Sequence, residues 1–198
     1  MKDQHQLDHD RAQHEESSWW GDCANMLGEE LKQLIYAHHM GLTHQEINGK
    51  PYIFDLEGKT IVDIGGGPNS LLLKCINFRG AVIDPCDYPN WVATRYSELG
   101  IDYIKQTGED VSESILESAD EVWIYNVLQH TIDPEKIIKK AKLAKKIRIF
   151  EWIDAEQNHA HPHVLTEEKL NEWLGGKGKI ETFNGINGCY GKAFYGTF

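Results

Sequence analysis

The 198-residue sequence lacks any apolar run near the roughly 20 residues needed to cross a bilayer, which argues against a membrane-spanning protein. It is also short of basic charge: 20 lysines and arginines stand against 31 aspartates and glutamates, a formal net charge of −11. A field of that sign repels phosphate backbones, so nucleic acid is not an expected partner. Cysteines are few, and Cys23, Cys75, Cys86 and Cys189 show no C-x-x-C spacing. Neither a zinc knuckle nor a disulfide framework is indicated, and reduced, mostly buried thiols are expected. Met1 to Glu16 are polar, rich in His, Asp and Gln, and without the apolar stretch of a secretion signal, which predicts a protein that stays in the cytoplasm. No internal repeat appears, and nothing in the sequence speaks to oligomeric state. What is present suffices for a core: 40% of the residues are hydrophobic and 26% charged, a balance that fits one domain with a short appendage.

Residues 1–16 read as frayed or loosely helical. From Trp19-Trp20 onward, Cys23, Met26, Leu27, Leu31, Leu34, Ile35 and His38 recur at steps of three and four, the pattern of one amphipathic helix. Gly41 ends it, and Asn48-Gly49-Lys50-Pro51 marks a turn. These features define a helical appendage over residues 1–57. The rest alternates β-rich and helical stretches, as in a parallel sheet flanked by helices. Strands are expected near Thr60–Gly65, Ala81–Pro85, Asp102–Gln106, Glu121–Asn126 and Ile147–Trp152, and helices near Asn69–Asn77, Trp91–Leu99, Val111–Glu117, Pro134–Ala144 and Glu167–Leu174. Thr166 would cap the last helix and Gly175 stop it. Lys179–Ile186 and Cys189–Phe198, separated only by Asn187-Gly188, predict an antiparallel hairpin. The fold class is therefore α/β: a doubly wound, mostly parallel seven-stranded sheet with a C-terminal antiparallel hairpin and an N-terminal helical appendage.

The segment Ile61-Val62-Asp63-Ile64-Gly65-Gly66-Gly67-Pro68-Asn69-Ser70 is a hydrophobic strand running into a glycine turn. Small residues let a ligand approach the backbone, and the N–H groups beyond them attract an anionic group. A dinucleotide fingerprint, Gly-x-Gly-x-x-Gly from Gly65, would need glycine where Ser70 stands. Asp63 would point its charge into the loop, where it repels a pyrophosphate and could hold an ammonium group. A ligand bearing an amino acid is favoured over a dinucleotide.

With Asp63-Ile64-Gly65-Gly66-Gly67-Pro68 as its first motif, the sequence resembles the class I S-adenosylmethionine-dependent methyltransferases over residues 58–198, closing hairpin included. The resemblance implies S-adenosyl-L-methionine as cofactor, held by Asp63, Gly65, Gly66 and Gly67 and, at the end of the second strand, by Asp84 and Pro85. A carboxylate at Asp84 can accept hydrogen bonds from both ribose hydroxyls. Glu109 or Asp110 would face the adenine amino group, and Asn126 would follow the fourth strand. Catalytic candidates for proton removal lie at the same sheet edge: His130, and His161 and His163 in the polar loop after the fifth strand. Three histidines over 159–163 also invite a metal reading, although methyl transfer needs none and no metal is expected. Trp19, Trp20, Tyr36 and Glu151 are candidate substrate or lid residues, the tryptophans serving alternatively as plain anchors. The function expected is methyl transfer to an oxygen or nitrogen of a small polar metabolite, such as a sugar or a natural-product intermediate. An NAD-linked oxidoreductase and a non-catalytic cofactor-binding module remain as alternatives.

Overall fold

The computed structural model describes residues 4–24, 26–47, 50–186 and 189–198. The N-terminal segment forms α1 (Gln4–Trp20), α2 (Leu27–His39), β1 (Gln45–Ile47) and β2 (Lys50–Asp55). Beyond it come β3 (Thr60–Ile64), β4 (Cys75–Ile76), β5 (Arg79–Ile83), α3 (Asn90–Glu98), β6 (Ile101–Ile104) and α4 (Glu113–Glu117). The chain continues through β7 (Glu121–Tyr125), α5 (Pro134–Ala141), β8 (Ile147–Ile153), α6 (Glu167–Leu174), β9 (Lys179–Ile186) and β10 (Cys189–Thr197).

The main sheet has the order β6-β5-β3-β7-β8-β10-β9. Its first five strands pair in parallel, and β10 runs antiparallel to both β8 and β9. β7 is buried at all its positions, as an interior parallel strand covered on both faces must be. Successive residues alternate between two cores, following the period of two in a strand. Ile61, Trp123, Tyr125 and Phe150 pack on one face with Tyr36 and Met40 of the α2 region. Val62, Ile124 and Ile149 pack on the other with Leu116, Ile137 and Leu170 from α4, α5 and α6. α6 starts and stops as expected: Thr166 Oγ1 accepts the Lys169 N–H, and Gly175 turns the chain at φ 72°.

Several expectations are corrected. The single helix expected from Trp19 to His38 is two, because Gly21 (φ 52°) and Cys23 (φ 58°) enter the left-handed region. The appendage is not wholly helical, since β1, β2 and β4 make a separate three-stranded sheet. Nor is the segment one unit: α2 is built into the core through Tyr36, Ala37 and Met40, whereas α1 buries few apolar side chains, Ala12 among them. In place of a helix over Asn69–Asn77 there are two short 3₁₀ turns, Gly67–Asn69 and Leu71–Lys74, followed by β4. Ser70 sits extended between the turns, and neighbouring hydroxyls take up the backbone there. Tyr96 accepts the Ser70 N–H and donates to the Gly67 carbonyl, while Tyr125 accepts the Leu71 N–H. With those groups satisfied from the side, no helical ladder is required. The turns expected at Asn48-Gly49 and Asn187-Gly188 lie outside the described residues.

Candidate functional site

The parallel strands deliver their carboxyl ends to one edge of the sheet, where ligands of open α/β sheets bind. Gly65 (φ 73°) and Gly67 (φ 60°) turn the chain after β3. A Cβ at Gly65 would lie 2.0 Å from a Val127 methyl, and one at Gly66 would lie 2.6 Å from Asp63 Oδ2. These two glycines answer to packing within the protein. At Gly67 the nearest atoms stand 3.6 Å or more away, on Tyr88 and Trp20.

Asp63 is in the lining of neither the cleft beside Asp84 nor the chamber that adjoins it. Its side chain is fully buried, and its Oδ2 accepts hydrogen bonds from the hydroxyls of Ser70 and Tyr125. Burial pushes the carboxyl up to about 7 against those hydroxyls, with Asp84 adding to the rise. Asp63 thus braces the glycine turn from beneath. Ser70, the residue that breaks the dinucleotide spacing, is its partner.

Asp84 ends β5, and its two oxygens accept from Gly67 N–H (3.0 Å) and Cys86 N–H (2.9 Å). Burial pushes it up to about 6, opposed by the Cys86 bond and aided by the charge of Glu16. A cleft of about 50 Å³ opens here, lined by Gly65, Asp84, Pro85, Glu109 and Asn126, with Gln13 and Glu16 of α1 across it. Cys86 Sγ lies 2.8 Å from Gln13 Oε1 and tethers the helix over the cleft. Of the two acids after β6, Glu109 lines the cleft, its Oε1 accepting the N–H groups of Ile132 and Asp133. Asp110 is exposed, accepts from the hydroxyl of Thr107 at the cleft's rim, and is not itself in the lining. Asn126, at φ 53°, holds a left-handed conformation that few non-glycine residues adopt.

A second chamber of about 530 Å³ meets the cleft at Glu16, Asn126 and His130. Trp19, Trp20, Tyr36 and Trp152 supply its aromatic lining, and His130, His161 and His163 stand in its wall. The three candidate histidines are therefore brought together, but each commits a ring nitrogen to structure. His130 Nδ1 donates to the Ala160 carbonyl (2.7 Å), leaving Nε2 to accept from the Gln129 amide (3.2 Å). Burial lowers its pKa to about 4. His163 Nε2 donates to the Thr131 carbonyl, and His161 Nδ1 accepts from Asn158 at 3.3 Å. Burial, then the neighbouring His130, lowers the pKa of His161.

Glu151, a candidate substrate or lid residue, is in the lining of neither cavity. It is fully buried, accepts the N–H groups of Val127 and Leu128, and is pushed up to about 8 by burial. Among the described residues no group of three His, Cys, Asp or Glu side chains is placed to hold a metal ion, and no helix is long and apolar enough to cross a membrane. Gln13, Glu29, Lys32 and Gln129 also line the two cavities. Gln13, Glu16 and Trp20 stand three and four apart, one face of a helix, which is the sequence signal that finds the first of them. Gln129 has no such signal.

No family model matches the chain. A ubiquinone biosynthesis O-methyltransferase of Pseudomonas syringae pv. tomato is 32% identical over 91 residues, 43% of this chain and 39% of that protein. The chain therefore matches well under half the length of this curated relative. A Burkholderia thailandensis 1,6-didemethyltoxoflavin-N1-methyltransferase, solved with 1,6-didemethyltoxoflavin and S-adenosylhomocysteine, superposes with a TM-score of 0.64 at 14% identity, over 100% of this chain and 90% of that one. A complex of the Haloferax volcanii Trm112 methyltransferase activator with a methyltransferase gives 0.66 at 14% identity, over 94% and 96%. In strand order and closing antiparallel pair the chain shares the fold of these methyltransferase structures.

Proposed function

We propose that the chain is a methyltransferase that uses S-adenosyl-L-methionine to methylate an oxygen or nitrogen of a small polar molecule. The observation that carries this is Asp84: a buried carboxylate at the end of β5, anchored to the glycine turn through Gly67 N–H, in a cleft that opens into a chamber with room for an acceptor. When bound, the cofactor supplies a methyl group activated on a sulfonium. Asp84 would hold the ribose hydroxyls, with Glu109 and Asn126 beside it in the same cleft. The donor set fits that ligand. The space does not while α1 is seated, because about 50 Å³ is far below the roughly 300–1,000 Å³ of ordinary ligand sites. The helix must lift to admit the cofactor and settle back over it with Gln13 and Glu16 shifted, which makes α1 the lid.

The chain's own residues then position and shield. Trp20 packs over Gly67, and Trp152 and Tyr36 line the chamber. His130 stays neutral at physiological pH and orients Gln129. Rate enhancement rests chiefly on alignment of the acceptor, with His161 nearest to serving as a proton acceptor where the acceptor is a hydroxyl. O- and N-methylation are both represented among the small-molecule enzymes named above. The four unbridged cysteines suit a reducing compartment such as the cytoplasm. The NAD reading has less support: Ser70 replaces the third glycine and is bonded to Asp63, and the sheet ends in an antiparallel pair.

Calorimetric titration tests the reading. S-adenosylhomocysteine should bind and NAD should not. Asp84→Asn should weaken binding by about tenfold or more, as expected for losing charge-assisted hydrogen bonds. Tight NAD binding, or equal S-adenosylhomocysteine affinity in the variant, would overturn it.

A further inference from the structure

We infer that the chamber selects small molecules carrying a protonated amine. The inference rests on the methyltransferase reading only for the chamber's place beside a cofactor; the charge it prefers follows from its own polar groups.

Gln129 is the first of these groups. Because His130 Nδ1 must donate to the Ala160 carbonyl, Nε2 of the neutral ring carries a lone pair. That lone pair takes one amide N–H of Gln129, and Asn126 Oδ1 takes the other at 3.0 Å. Both donors are spent, so the only polar atom Gln129 has left is Oε1, an acceptor that is buried and unpartnered. The Tyr36 hydroxyl, on a side chain only 2% exposed, also lacks a hydrogen-bond partner. Unpaired buried groups of this kind cost stability unless something else satisfies them.

Charge points the same way. Glu15, Glu16 and Glu29 line the chamber, and among the described residues Lys32 is the one lysine or arginine that does. It is already engaged by Glu29 at 2.7 Å. His130 and His161 add no compensating charge, since burial lowers the pKa of both. Around these carboxylates stand the rings of Trp20, Tyr36 and Trp152, whose faces attract cations. A ligand that brings N–H donors and positive charge matches the acceptor on Gln129 and the carboxylate of Glu16 in the chamber's lining. A carboxylate or phosphate would set acceptor against acceptor in a partly dry space.

Three probes of matched shape separate the possibilities: benzylammonium, benzyl alcohol and benzoate, each titrated by protein-observed NMR near neutral pH. The protein is used alone and again saturated with S-adenosylhomocysteine. Benzylammonium should bind in both states, about tenfold or more tighter than benzyl alcohol, with benzoate the weakest. Glu16→Gln and Gln129→Leu should each weaken benzylammonium by roughly five- to tenfold and leave benzyl alcohol unchanged. Should the buried Gln129 variant fail to fold, the Glu16 variant on α1 still decides. Equal binding of the three, a preference for benzoate, or no binding at all overturns the inference. So does an amine preference that disappears once S-adenosylhomocysteine is bound, because the acceptors would then serve the cofactor's own ammonium. An amine preference in a protein that does not bind S-adenosylhomocysteine supports the selectivity and overturns the methyltransferase reading instead.

Discussion

At the scale of single residues, the carboxylates divide by what they hold. Asp63 braces the glycine turn, Glu109 holds Ile132 and Asp133, and Glu151 holds Val127 and Leu128. Glu151, up to about 8 from burial, is mostly protonated at neutral pH and is used there as an acceptor of N–H bonds rather than as a charge. Glu151→Gln should therefore keep near-native stability around neutral pH, whereas Glu151→Ala leaves two N–H groups unpaired and should cost about 1–3 kcal/mol. Chemical denaturation of both variants checks this, and equal losses would refute it. Asp84 and the glycine turn were legible in the sequence because strand, turn and acid follow one another within a short span. The direction of Asp63 was legible too, had the alternation along β3 been followed: it shares a face with Ile61, which looks into the core. Its partner Tyr125 lies 62 positions away, and no local pattern announces such a pairing. The fixed orientation of Gln129 depends on a carbonyl at Ala160 and was out of reach for the same reason.

Among the elements, α1 decides most. It is a polar helix of 17 residues that lies over the cleft with Gln13 and Glu16 as part of its lining, held by Cys86 to Gln13 and steadied by the Trp20 indole on Glu16 at 2.7 Å. A helix so poor in buried apolar area gains little from tertiary packing. Hydrogen exchange over residues 4–20 should accordingly be fast in the free protein and slow by about tenfold or more with S-adenosylhomocysteine beneath the helix, while β3 and β7 stay protected in both states. Equal protection of α1 in the two states would contradict the lid. The β-alternation and the closing antiparallel strands could be read from hydrophobic period and turn chemistry. The stretch after Gly67 could not. Its leucines suggest a helix, and only the hydroxyls of Tyr96 and Tyr125, supplied from distant elements, make the tighter turns preferable.

For the whole molecule, buried acids set how stability follows pH. Asp63, Asp84 and Glu151 reach about 7, 6 and 8 in the fold, above the 3.8 and 4.5 of free side chains, with burial as the first cause in each. They bind protons more tightly folded than unfolded, so their contribution is full below the free carboxylate range and is lost as pH rises through those values. Glu121 runs the other way. Burial pushes it up, yet the Arg148 guanidinium and the Trp123 indole hold it at about 2, so its contribution is present above about 4.5 and is lost as pH falls toward about 2. Melting temperature should peak near pH 4, decline toward about pH 8 and decline again as pH falls toward about 2. A melting temperature that climbs between about pH 5 and about pH 8 would refute this assignment. The seal made by α1 has a further consequence, one of populations rather than contacts. With α1 as the lid, cofactor enters only molecules whose helix has lifted, so the measured association rate is the intrinsic one multiplied by the open fraction. An open fraction of about one in a hundred makes entry about a hundredfold slower. Changes that loosen α1 without touching either cavity should thus speed both entry and release of the cofactor, even as they make the folded protein less ordered.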